Sequence, residues 1–222
     1  MSRFFRPILP GAQLRDRLIG CVGAAICIAL TMVVCAGLPP LGADLPIIVA
    51  PLGASAVLVF AVPTSPLAQP WPVVGGNIIS TLVGVAMFQI MPNTTVAAGA
   101  AVGGAILVMS LLRCLHPPGG AAALTAVIGS QGIHAAGYSF AFTPVGINSI
   151  ALVSLAMVYH RATARTYPHQ PVAAPREVSA AGFHTEDIDA ALAEMHESFD
   201  ISREDLDALL AKAELHSMAR RR

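Results

Sequence analysis

The sequence predicts an all-α fold: a polytopic membrane helix bundle followed by a cytosolic C-terminal helical tail. Three observations predict it. Mean hydropathy is +0.68, and charged residues make up 12% of the 222 residues, about half the share usual for a soluble domain. Between Leu18 and His160 the Asp, Glu, Lys and Arg residues are Asp44 and Arg113 alone. Apolar runs in that body are punctuated by Pro, Gly and Asn at spacings suited to membrane helices.

The zero net charge is an average over unlike parts: a basic N-terminus (Arg3, Arg6, Arg15, Arg17), a nearly uncharged body and a tail with eleven Asp and Glu. No basic stripe of the kind that binds nucleic acid is present. The expected organisation is a basic cytosolic N-terminus over 1–17, a transmembrane domain over 18–161, a Pro-rich linker over 162–182 and an acidic amphipathic helical tail over 183–222.

A bilayer core needs roughly 20 helical residues to cross. The apolar runs give six segments, at 18–37, 46–62, 73–91, 95–115, 117–130 and 143–161, with the second and fifth short. The first exceeds an ordinary signal-peptide core and lacks a clear cleavage site, so it reads as a span. Cys21, Cys27, Cys35 and Cys114 show no metal spacing and read as small apolar packers. Gly/Ala-rich stretches at 99–110 and 119–129 suit close helix approach in lipid, and such faces would also suit a homodimer.

Pro51-Leu-Gly-Ala-Ser-Ala matches Pro118-Gly-Gly-Ala-Ala-Ala, and Val74-Gly-Gly-Asn-Ile-Ile matches Val145-Gly-Ile-Asn-Ser-Ile, at offsets of 67 and 71. The expected plan is two three-segment repeats with an Asn opening each third segment. If all six cross, the second repeat is inverted relative to the first, a common transporter plan. Basic residues before the first segment and after the last (Arg161, Arg165, Arg176) put both termini in the cytoplasm by the positive-inside rule. Six spans place Arg113 inside; four spans with two re-entrant segments place it outside. Asp44, His134 and His160 read as loop or interface residues, and Trp71, Tyr138 and Tyr159 as interfacial aromatics.

In the tail, Thr185 is placed to cap a helix with Ile188, Leu192 and Met195 on one face. Ser202 and Asp205 resemble a capping box with Asp in place of Glu. This part reads as a packing, dimerisation or connecting element.

The stretch "RCLHPPGGAAALTAVIG" at 113–129 concentrates the chemistry. A charge in or near hydrocarbon is costly, so Arg113 reads either as a cytoplasmic anchor or as positive potential beside an anion site. Pro117 and Pro118 fit the first turn of a helix. Gly119, Gly120 and Ala121 would follow with uncovered amides, which with the helix dipole attract small anions. His116 stands just ahead, as a turn residue or as a hydrogen-bonding and titrating group. The repeat offers a second start at Gly53, Ala54 and Ser55, and the two could face each other around one anion. Asn77 and Asn148 would add amide donors or act as helix caps. No catalytic motif, metal cluster or cofactor signature accompanies these residues, so an enzyme is not expected.

At "HPPGGAAALTAVIG" and again at "PLGASAVLVFAVPTSPLAQPWPVVGGN" (51–77) the sequence closely resembles the HPP family of integral membrane proteins, whose name is the triplet His116-Pro117-Pro118. The resemblance spans about residues 14 to 160. It implies a multi-pass protein of four spans. It also implies transport of a small inorganic anion, nitrite first, since some plant plastid and cyanobacterial relatives carry nitrite. A bacterial inner (plasma) membrane location goes with it. Many bacterial members continue through an acidic helical linker, similar to 183–219, into paired CBS domains; either this chain lacks that regulation or it is truncated before it. The alternative to a transporter is a membrane sensor or anchor that signals through its helical tail.

Overall fold

A proline opens three of the helices in the apolar body, two of them short. The computed structural model describes residues 14–37, 45–170, 185–195 and 200–221. Asp44, Arg3, Arg6, Arg176 and most of the expected linker lie outside the described residues. The described chain falls into two compact units, one with the apolar body as far as Pro168 and one with Thr64–Pro66 and the chain from His169 on.

In the first unit α1 is Leu14–Ala36, α2 Pro51–Ala61, α3 Pro70–Ile90, α4 Thr94–Leu111, α5 Pro117–Ile128, α6 Gln131–Ala136 and α7 Ile147–Ala162, with a π-turn at Ala141–Gly146 leading into α7. Pro occupies the first turn of α2, α3 and α5, where its missing N–H costs nothing. Val62 before Pro63 is turned out of helical geometry, φ −136° and ψ 57°, as the ring of a following proline requires. Asn93 caps α4 by accepting from Val96 N–H at 3.1 Å, and Ser130 caps α6 by accepting from Ile133 N–H.

Among the described residues four helices are long and apolar enough to cross a membrane: α1, α3, α4 and the joined Ala141–Ala162 stretch. The 11-residue α2 and 12-residue α5 reach only about 16–18 Å at 1.5 Å per residue. Their direction is nonetheless that of full passes. Gly20 of α1 meets Phe60 near the end of α2, while Cys35, fifteen residues on, shares Asn148 with the backbone of Ile47 and Val49; α1 and α2 are therefore antiparallel. Gly76 meets Cys114 and His116, and Gly84 meets Ala123; α3 and α5 are parallel.

The beginnings of α1 and α3 and the ends of α4 and α7 share one end of the bundle. Tyr159 O–H donates to Ile19 O at 2.8 Å, Tyr167 O–H to Ala68 O at 2.9 Å and Trp71 Nε1–H to Leu112 O at 3.2 Å. The Arg165–Asp16 ion pair closes the same end. Direction thus alternates through α1, α2, α3, α4, α5 and α7, which makes the second set of three inverted relative to the first. Among the described residues six apolar helical segments run in alternating direction, four of them long enough to cross a membrane and two, α2 and α5, shorter.

The short segments are continued by other backbone. Non-helical residues 45–50, which bend and turn, lead into α2, and Gly129, Ser130 and α6 follow α5. Non-helical backbone at membrane depth needs partners supplied by protein. Asn148 supplies them: its Oδ1 accepts from Val49 N–H at 3.0 Å and its Nδ2 donates to Ile47 O at 2.9 Å.

The core divides in two. Leu52, Val59, Phe60, Phe140 and Leu152 anchor one cluster, and Ala97, Ala101, Ala105, Met109 and Val127 the other. On α4 the packed small residues are alanines, whereas Gly99 and Gly103 have open space where a Cβ would stand. Each expected third segment begins before its Asn: Asn77 sits two turns inside α3 and Asn148 follows the π-turn, so neither is a cap.

In the second unit α8 is Thr185–Met195 and α9 is Arg203–Arg221. The cap expected of Thr185 lies outside the described side chains. Ser202 Oγ accepts from Asp205 N–H at 3.1 Å, the first half of the expected box. Asp205 Oδ2 accepts from the Ser202 hydroxyl and lies 2.7 Å from His169 Nε2. Ile188, Leu192 and Met195 line an apolar groove of about 580 Å³ with Leu206, Leu209 and Leu210.

Candidate functional site

Where α2 and α5 pass each other, four polar side chains meet in the apolar body. Ser55 on α2, Asn77 on α3, His116 ahead of α5 and Ser149 on α7 are each buried to 1% exposure or less. Their elements explain the meeting. Gly76 lets α3 approach so closely that a Cβ there would stand 2.6 Å from His116 Cβ. Ser55 is one turn into α2, on the same buried face as Leu52 and Val59.

Ser55 Oγ lies 2.8 Å from His116 Nε2, and Asn77 Nδ2 donates to both Ser55 Oγ and Ser149 Oγ at 3.2 Å. On the far side of the imidazole, Nδ1 lies 2.8 Å from Leu67 O. A carbonyl only accepts, so Nδ1 carries a proton there. Ser149 O–H donates to Val145 O at 2.9 Å, and Thr81 O–H to Asn77 O at 2.8 Å. One atom of the group stands apart: Asn77 Oδ1 is buried and has no hydrogen-bond partner among the described residues.

Of the residues singled out in the sequence, the fold brings together Ser55, Asn77 and His116. Asn148 is buried but serves the 45–50 backbone. Pro118 and Gly119 are buried beside the cluster, Gly119 against Ser80 and Met109, with Gly120 half-buried. Gly53, Ala54, Pro117 and Ala121 are exposed on the outer surface of the unit, because they lie on the helix faces opposite Ser55 and Ala122. Arg113 is exposed beyond the end of α4, in the left-handed region at φ 55°.

Of the amides expected to be uncovered, those of Gly53 and Gly119 are engaged by backbone carbonyls. Leu52 and Gly53 N–H donate to Val49 and Ala50 carbonyls, and Gly119 N–H to His116 O at 2.8 Å. At the two helix starts it is side chains that meet, Ser55 Oγ lying 2.8 Å from His116 Nε2.

Ser149 was not singled out by the sequence. Its signal was its place next to Asn148 in the repeat, but neighbouring helical residues point about 100° apart, and only the fold tells which one turns inward. His160 is also corrected. It is fully buried, not an interface residue, with Nε2 3.0 Å from Val59 O and its ring stacked on Phe60 at 5.4 Å. His134 stacks on Phe88 at 3.8 Å, half-buried. Among the described residues no three His, Cys, Asp or Glu stand together as metal ligands.

Comparison with known proteins agrees with this architecture. The family described as HPP, transmembrane region, matches residues 9–168. A transmembrane protein of Dictyostelium discoideum is 37% identical over 133 residues, covering 58% of this chain and 46% of that relative. A second transmembrane protein of the same organism is 40% identical over 120 residues, covering 52% of this chain and 38% of its own length. The chain thus spans less than half the length of either. No solved structure matches it significantly. With the family's region matching from before α1 to beyond α7, and the His-Pro-Pro triplet standing at the polar centre of the bundle, the chain belongs to the HPP transmembrane family.

Proposed function

We propose that the chain is a membrane transporter or channel for a small inorganic anion, nitrite first, with the Ser55–Asn77–His116–Ser149 cluster as its substrate site. The observation that carries the reading is that these four buried polar side chains are joined by hydrogen bonds in a body whose charged residues between Leu18 and His160 are Asp44 and Arg113 alone. Polar residues at membrane depth are costly and mark substrate routes. Short helices at the interface of inverted repeats are where transporters place such sites. Arg15, Arg17, Arg113, Arg161 and Arg165 gather at one end of the bundle, which in this reading faces the cytoplasm. Arg113 there supplies attractive potential without entering the site.

The test is nitrite flux into proteoliposomes. His116→Ala and Ser55→Ala each lower the flux at least tenfold while the purified protein stays monodisperse in detergent; Arg113→Ala lowers it less and in a salt-dependent way. Wild-type flux no greater than that of empty vesicles would overturn the reading. It would favour the second one, a membrane sensor or anchor acting through its tail, which the open apolar groove between α8 and α9 supports.

A further inference from the structure

We infer that Asn77 Oδ1 receives a hydrogen-bond donor, and that the species carried is the protonated, uncharged form of a small weak acid. This deepens the proposed function and rests on it.

The orientation of the Asn77 amide follows from its neighbours. Ser149 spends its hydroxyl proton on Val145 O at 2.9 Å, so towards Asn77 it can only accept. The amide atom that faces Ser149 and Ser55 is therefore the nitrogen, with both hydrogens engaged. Oδ1 points away, buried and without a partner among the described residues. A buried acceptor left unpaired is unfavourable, and native structures keep few of them without a use. What complements a carbonyl oxygen is an O–H or N–H, whereas a bare anion would meet lone pairs.

The surrounding charge agrees. The four elements that build the cluster, α2, α3, α5 and α7, contain one charged residue, Arg161 in the last turn of α7. That is three turns along the helix from Ser149. His116 is the one titratable group in the cluster, and its two ring nitrogens are taken by Leu67 O and Ser55 Oγ; a desolvated anion there would have no fixed countercharge beside it, and such burial is prohibitively costly. A neutral acid avoids that cost and supplies the missing donor.

The balance is simple. The anion takes a proton from water on one side, binds with its O–H donating to Asn77 Oδ1, and returns the proton to water on the other side. No bond other than O–H is made or broken, and one proton accompanies each anion, so transport is electroneutral.

The experiment uses the full chain in proteoliposomes with an internal pH dye, with the leak of empty vesicles subtracted. Weak-acid anions (nitrite, formate) are compared with strong-acid anions (nitrate, chloride). At constant nitrite the protein-dependent flux rises roughly tenfold for each unit of pH lowered, following the acid fraction. One proton enters per nitrite, and nitrate and chloride stay outside. Asn77→Leu, which keeps the bulk and removes the acceptor, lowers flux at least tenfold. Flux that ignores pH, nitrate or chloride carried as fast as nitrite, or full activity of Asn77→Leu would each overturn the inference while leaving the transporter reading intact. Absence of flux for all four anions would instead overturn the transporter reading itself.

Discussion

Asn148 does for residues 47–49 what a helix does for its own backbone. Because its amide satisfies Val49 N–H and Ile47 C=O together, Asn148→Ala leaves the buried Val49 N–H and the Ile47 carbonyl unpaired. The expected loss is about 2–4 kcal/mol, read as a lower thermal midpoint of the detergent-solubilised protein. Tyr167 gives a second prediction. Burial pushes its phenol above the usual value of 10.0, so the folded state holds the proton to higher pH than the unfolded chain does. Stability from this group is intact below pH 10.0 and declines as pH rises above it. Tyr167→Phe removes that share of the alkaline decline, measured as the difference in melting temperature between the two proteins from pH 9 to 11. At this scale the polar types were legible in the sequence, since Ser, Asn and His are rare in an apolar body. Their partners were not: Asn77 and Asn148 occupy matching places in the repeat, yet one faces hydroxyls and the other faces backbone.

The packing of α3 on α5 is governed by glycines, and unequally. At Gly84 a Cβ would run into the Ala123 carbonyl of α5, which is backbone and cannot swing aside. Gly84→Ala therefore costs about 1–3 kcal/mol through a forced helix shift. At Gly99 nothing stands within 4 Å of the added carbon. Gly99→Ala is expected to be neutral or to stabilise by up to about 1 kcal/mol through helix propensity. Circular-dichroism melts of the two variants side by side check the contrast; equal effects would show that the α3–α5 contact is not the tight one. Composition announced small-residue packing on α4 but not its face. The alanines at 97, 101 and 105 are buried while the glycines at 99 and 103 look outward, a choice that depends on where α3 and α5 stand.

For the whole molecule, the alternating directions predict sidedness. Position 113 lies at the end shared by the starts of α1 and α3, and position 138 lies at the other, next to the end of α3 where Gly137 approaches Gln89. Single cysteines placed at 113 and 138 in a cysteine-free background should therefore be labelled by an impermeant maleimide from opposite sides of the membrane, with 113 on the side of the N-terminus. Labelling of both from one side would contradict the six-pass arrangement and favour α2 and α5 as re-entrant.

The sequence by itself determined the class of protein, the number of apolar segments and their boundaries to within a few residues, and it left the inversion of the second set of three conditional on all six crossing. Those properties depend on transfer free energies and on Pro and Gly geometry, which act locally. Only the tertiary structure decided that bent and capped backbone continues the two short segments, that the Gly53 and Gly119 amides are engaged by carbonyls, and that Ser149 joins Ser55, Asn77 and His116 while Asn148 does not. Such choices turn on which side of a helix meets which neighbour. That is a property of distant residues packed together, and no local pattern encodes it.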